Sequence, residues 1–231
     1  MKTIGMIGGM SWESSAVYYQ QINREVRKRL GGVCSAKLLI YSFNFGEMAK
    51  LQHAGKWDEA NASMVKIACD LEKAGADFLL IACNTMHCAT AAIQKAVRLP
   101  LLHIADPLGA AIRGAGLTCV GLLGSNYTMQ NDSVLRGRLC ERYGVGIVTP
   151  EGEDATEVNR VIYDELARGE FLPASRAHYR IIIAKLVEKG AQGIILGCTE
   201  LSLLLSAEDA AVPMFDTTTL HTMAAVELAL A

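Results

Sequence analysis

Thr3-Ile4-Gly5-Met6-Ile7-Gly8-Gly9 opens this chain, and a run of the same character returns as Thr118-Cys119-Val120-Gly121-Leu122-Leu123-Gly124-Ser125. Two further pairs keep nearly the same offset. Glu72-Lys73-Ala74-Gly75-Ala76 is echoed by Glu188-Lys189-Gly190-Ala191, and Leu99-Pro100 by Val212-Pro213. Repetition at a fixed spacing over 231 residues argues for two related halves rather than one continuous sheet. Within each half, short apolar runs alternate with longer amphipathic segments. That pattern predicts strand–helix units, parallel sheets and helices on both sheet faces. The expected architecture is therefore α/β, with two pseudo-symmetric lobes, each a parallel sheet flanked by helices. The first lobe is expected over 1–106, rejoined by the C-terminal helix 217–231, and the second over 107–216.

In order, 2–7 reads as a strand. Gly8-Gly9-Met10-Ser11 is a turn in which Ser11 caps the next helix, and Gly31-Gly32 ends that helix. A second strand is expected at 37–42, a polar loop or short helix at 44–53, and an amphipathic helix at 57–75. Leu79-Leu80-Ile81 then reads as a buried strand and 99–105 as a fourth. The final helix, 221–230, is apolar along one side. The first turn lacks the G-x-G-x-x-G spacing of dinucleotide sites, although a glycine-rich strand-to-helix turn also suits a carboxylate.

The chemistry concentrates where the two buried strands end. Cys83-Asn84-Thr85 follows the first and Gly197-Cys198-Thr199-Glu200 the second, with the cysteines 115 residues apart. A thiol at a strand-to-helix junction meets unpaired N–H groups and the positive end of the helix dipole. Such surroundings draw its pKa from about 8.5 toward roughly 3.5–7.5. Ligands of open α/β sheets bind beyond the carboxyl ends of the strands. With those ends facing inward, Cys83 and Cys198 would point into one cleft from opposite sides. That geometry suits inversion of a stereocentre, in which one group removes a proton and another returns one to the opposite face.

Other classes are disfavoured. A net charge of −2 without a basic stripe gives nucleic acid no footprint. No apolar run reaches membrane-span length, and no signal-peptide pattern opens the chain. Seven cysteines without framework spacing fit a reducing cytoplasm better than disulfides. Cys34, Cys69, Cys88, Cys119 and Cys140 are expected to be small buried hydrophobes. Cys83, His87 and Cys88 lie close in sequence, but only Cys83 and His87 share a helical face, so no metal site is expected.

Cys83-Asn84-Thr85, Gly197-Cys198-Thr199-Glu200 and Ile7-Gly8-Gly9-Met10-Ser11-Trp12 together resemble the cofactor-independent aspartate/glutamate racemases, over essentially the whole chain. The resemblance implies a two-lobed fold, catalytic Cys83 and Cys198, a small amino-acid substrate, no pyridoxal phosphate and frequently a homodimer. Cell-wall glutamate racemases carry Asp-Ser where this chain has Met10-Ser11, and histidine where it has Glu200, which favours the aspartate branch. Asn84, Thr85 and Thr199 are candidates for the α-carboxylate, and Arg176 for the distal one, because a guanidinium fork matches a carboxylate. Met10 and Gln52 are wall candidates, Thr128 could contribute a hydroxyl, Glu200 is a candidate to tune Cys198, and His53 and His103 could border the cleft. Solvated helix charge for Arg176 and helix capping for Thr128 are the ordinary alternatives. Maleate isomerases, hydantoin racemases and arylmalonate decarboxylases resemble the same family, and a non-catalytic dicarboxylate-binding protein shares its outline.

Overall fold

A computed structural model describes residues 1–231. Eight strands form two four-stranded parallel sheets, ordered β2-β1-β3-β4 and β6-β5-β7-β8. The chain divides into one compact unit of residues 1–104 with 221–231, and another of residues 105–220.

In the first unit β1 (Ile4–Gly8) runs at the centre, with β2 (Leu38–Ser42) on one side and β3 (Phe78–Ile81) on the other; β4 (Leu101–Leu102) lies outside β3. Side chains alternate across a strand, so each strand serves two cores. Ile7, Leu79 and Ile81 join an apolar cluster with Met48 of α2 (Phe45–His53), Met64 and Ile67 of α3 (Trp57–Lys73), and Ile93 of α4 (Thr90–Ala96). On the opposite face Ile4, Met6, Phe78 and Leu80 pack with Tyr18, Ile22 and Val26 of α1 (Trp12–Leu30). Ala225, Val226 and Ala229 of the last helix complete that face.

The second unit repeats the order. β5 (Cys119–Leu123) is flanked by β6 (Gly146–Val148) and β7 (Ile194–Leu196), with β8 (Met214–Asp216) outside β7. Its helices are α5 (Ala105–Gly114), α6 (Asn126–Gln130), α7 (Arg136–Tyr143), α8 (Gly152–Asp164), α9 (Pro173–Glu188) and α10 (Leu201–Leu204). The last helix, α11 (Thr217–Leu230), follows β8 directly.

The repeated residues hold equivalent posts. Gly75 and Gly190 take φ of 93° and 97° just past α3 and α9, the left-handed backbone that favours glycine at a helix end. The Pro100 and Pro213 carbonyls accept from Leu79 and Ile194 N–H, each at 2.9 Å, opening the β3–β4 and β7–β8 ladders. Ser11 and Ser125 cap α1 and α6 through their side chains.

Three local expectations are corrected. The fourth strand is only Leu101–Leu102, because the Ile104 N–H is taken at 3.1 Å by His87 Nε2 rather than by a neighbouring strand; Asp106 falls inside α5. The segment after Asn84 begins as a 3₁₀ turn, Thr85–Ala89, before α4. Cys34 and Cys140 are exposed, one in the loop after α1 and the other on the outer side of α7, while Cys69, Cys88 and Cys119 are half-buried. No helix is long and apolar enough to cross a membrane.

Candidate active site

In both sheets the strand order reverses between the central strand and its second neighbour: between β1 and β3, and between β5 and β7. Such switch points open a crevice at the carboxyl ends of the strands. Cys83 and Cys198 each stand one residue beyond the final rung there. Ala82 N–H donates to Ile7 O at 2.9 Å, and Gly197 N–H to Leu123 O at 2.7 Å. Both thiols are half-buried and neither is in a disulfide.

Around Cys83 the chain turns sharply. The His87 N–H donates to Asn84 O at 3.1 Å, and the His87 ring reaches back to the Cys83 carbonyl at 2.8 Å. Asn84 is buried and Thr85 half-buried. Gln52, at the end of α2, donates from Nε2 to the sulfur of Met86 at 3.2 Å, which fixes its side chain beside the same turn. Met10 follows β1, is 6% exposed, and belongs to the apolar cluster that holds Met48 and Met86. In the first unit Met10, Met86 and Cys83 thus share one apolar cluster, with Gln52 bonded to Met86 and Asn84 and Thr85 next to Cys83 in the chain.

In the second unit the Cys198 thiol donates to Glu200 Oε2 at 3.0 Å. Glu200 and Thr199 are buried, and Thr199 Oγ1 accepts from Thr218 Oγ1 at 3.3 Å. The α11 start is tied to the same loop, since Thr217 Oγ1 donates to Leu196 O at 2.9 Å. Thr128 is 1% exposed and serves the α6 cap: its N–H donates to Ser125 Oγ, whose hydroxyl donates to Thr128 Oγ1 at 3.1 Å. Tyr179 of α9 is fully buried and donates to Val158 O at 2.9 Å; burial pushes its hydroxyl well above the ordinary tyrosine range, with Cys198, Glu157 and Glu165 adding to the rise.

A carboxylate beside a thiol disfavours the thiolate, and in this contact Cys198 is the hydrogen-bond donor. In Glu200→Gln the carboxylate is removed, and alkylation of Cys198 at neutral pH should quicken several-fold. Peptide-resolved mass spectrometry, with Cys83 as internal reference, checks this; an unchanged rate would mean the carboxylate does not govern the thiol.

Arg176, on the first turn of α9, is engaged within its own unit. Its Nε donates to both Asp209 oxygens at 2.9 Å, and Nη2 reaches Asp209 Oδ2 at 2.8 Å and Ser206 Oγ at 2.9 Å. Asp209 is almost fully covered, while the Arg176 side chain is 42% exposed. The guanidinium holds the Asp209 carboxyl below its ordinary value. A lowered folded-state pKa stabilises the fold above the unfolded aspartate value, near 4, and this is lost as pH falls through the lowered value. Asp209→Asn should accordingly lower Tm at pH 7, and the gap from wild type should close on acidification below pH 4.

Of the imidazoles behind Cys83, the sequence marks only His103, with His53, as a cleft-bordering residue; it does not so mark His87 and His221. His87, His103 and His221 are all buried; the His87 ring centroid lies 4.6 Å from that of His103 and 5.8 Å from that of His221. Tyr18 O–H bonds His221 Nδ1 at 2.9 Å, and His221 Nε2 bonds Leu102 O at 2.9 Å. The one signal in the sequence was the four-residue spacing of Cys83 and His87, which sets both on one side of a turn.

Two four-stranded parallel sheets, each with a thiol just beyond its switch point, define an α/β architecture of the doubly wound kind. The family follows from comparison: residues 7–225 match the Asp/Glu/Hydantoin racemase family, and the chain belongs to it. It is an enzyme of the cofactor-independent amino-acid racemase class. A Yersinia pestis protein provisionally described as an Asp/Glu racemase has a crystal structure that superposes with a TM-score of 0.93 at 47% identity, covering 100% of both chains. A Pyrococcus horikoshii protein described as an aspartate racemase homologue superposes at 0.86 with 34% identity, again over 100% of both. Among curated proteins, the broad specificity amino-acid racemase RacX of Bacillus subtilis is 25% identical over 221 residues, 92% of each chain.

Proposed function

We propose that the protein racemises aspartate, with glutamate as a secondary substrate, by a two-base exchange between Cys83 and Cys198. The observation that carries this reading is the equivalence of the two thiols, each one residue past the closing rung of its own sheet. In one direction a Cys83 thiolate removes the α-proton and the Cys198 thiol delivers one to the opposite face; in the other direction the roles exchange. The Cys198–Glu200 hydrogen bond supports the start with Cys198 as acid. The carbanion formed between the two transfers has no electron sink. Its stabilisation falls to preorganised donors, the N–H groups and side chains of Asn84, Thr85 and Thr199 among them. Met10 and Gln52 would wall the substrate, and Thr128 would hold the α6 turn behind it. Arg176 would meet the distal carboxylate by exchanging part of its pairing with Asp209.

Aspartate is supported by the Pyrococcus horikoshii relative and by Met10 and Glu200 at the two positions that separate the branches. The RacX likeness supports a second reading, turnover of a wider range of amino acids on the same two thiols. Seven cysteines outside any disulfide support a cytoplasmic protein, and the family resemblance a homodimer. A chiral screen of the common amino acids without added cofactor tests the reading. Aspartate should be racemised fastest; several neutral amino acids turning over faster than aspartate would favour the wider range, and turnover of none would end it.

A further inference from the structure

We infer that His87 is a positioning residue that fixes the Cys83–Asn84 peptide and thereby presents the Asn84 N–H to the site; this rests on the reading of Cys83 as an acid–base group. The Ile104 amide can only donate, so His87 Nε2, 3.1 Å away, is an acceptor and the ring proton sits on Nδ1. Nδ1–H therefore donates to Cys83 O at 2.8 Å. A neutral imidazole has one donor and one acceptor, and both are used. Burial, with His103 and His221 beside it, holds His87 well below the ordinary histidine range and so keeps it neutral.

The backbone explains why a side chain is needed. The His87 N–H goes to Asn84 O in a 3₁₀ turn, so it does not bond Cys83 O as it would in an α-helix. The imidazole takes that place. In a trans peptide the C=O and the next N–H point in opposite directions. Pinning Cys83 O inward onto a buried ring therefore turns the Asn84 N–H outward, toward the crevice, where it can stabilise a thiolate or a substrate carboxylate. The same ring ties this turn to the backbone just after β4, so two loops at the strand ends are held by one side chain.

His87→Phe keeps a flat ring and removes both hydrogen bonds, while His87→Gln retains a donor and an acceptor. Peptide-resolved alkylation at neutral pH reads each thiol without requiring turnover, so the outcome is separate from that of the racemase reading. In His87→Phe the Cys83 rate should fall about tenfold, the Cys198 rate should stay within twofold, and His87→Gln should recover most of the loss. Equal changes at both thiols, an unchanged or faster Cys83, or no recovery in folded His87→Gln would each overturn the inference.

Discussion

Cys83→Ser and Cys198→Ser should each lower racemisation by about 10²–10⁴-fold, the span that positioned acid–base groups contribute. A serine hydroxyl keeps the shape and one hydrogen bond but does not ionise near neutrality. Enantiomers have equal free energies, so kcat/KM must remain equal in the two directions for every variant. Loss of either thiol therefore slows both directions alike, although only one would act as base in each. Both substitutions fall at half-buried positions beyond the strands. Their effect on unfolding free energy should stay within about 1 kcal/mol, the scale of ordinary substitutions. Chiral chromatography with denaturant titration of the same samples checks both halves, and near-normal turnover in either variant would remove the two-base assignment.

Gly9→Ala should be the most damaging small substitution in the first unit. Gly9 has φ of 85°, and an added Cβ would fall on the backbone N and O of Phe43. Those atoms are held in place, since the Phe43 N–H donates to Gly8 O at 3.0 Å and no flexible side chain can yield. The Gly9 N–H is itself bound by Ser15 Oγ at 2.7 Å, which ties the turn to α1. Left-handed backbone costs a non-glycine residue about 1–2 kcal/mol, and the backbone collision adds to it, so about 3 kcal/mol or more is expected. Gly32→Ala supplies the contrast. Gly32 also has positive φ, 58°, but nothing lies within 4 Å of its added Cβ, so about 1 kcal/mol is expected. Urea midpoints of the two variants decide the matter; similar losses would mean that crowding against Phe43 contributes nothing.

Residues that repeat were readable because each marks a local event. Gly75 and Gly190 end helices, Pro100 and Pro213 open strands, and Ser11 and Ser125 begin helices, and each job is done by residue types with few alternatives. The truncation of β4 was not readable, because it follows from a histidine ring capturing an amide 17 residues away. No propensity encodes that contact. The same holds for Arg176, whose acidic partner lies 33 residues on and shares no period with it. Cys34 and Cys140 show the limit of residue-type tendencies: cysteine is usually buried, yet these two are exposed, one in a loop and one on α7. Pairing of Cys198 with Glu200 was within reach, since two residues of separation at a strand end bring a thiol and a carboxylate side by side.

Racemisation in deuterium oxide, stopped early and resolved by enantiomer and mass, tests the two-thiol exchange most directly. Starting from protiated L-aspartate, the D-aspartate formed should carry deuterium at the α-carbon while the remaining L-aspartate stays protiated. D-aspartate that retains the original proton would contradict it, because one group would then have removed and returned the same hydrogen.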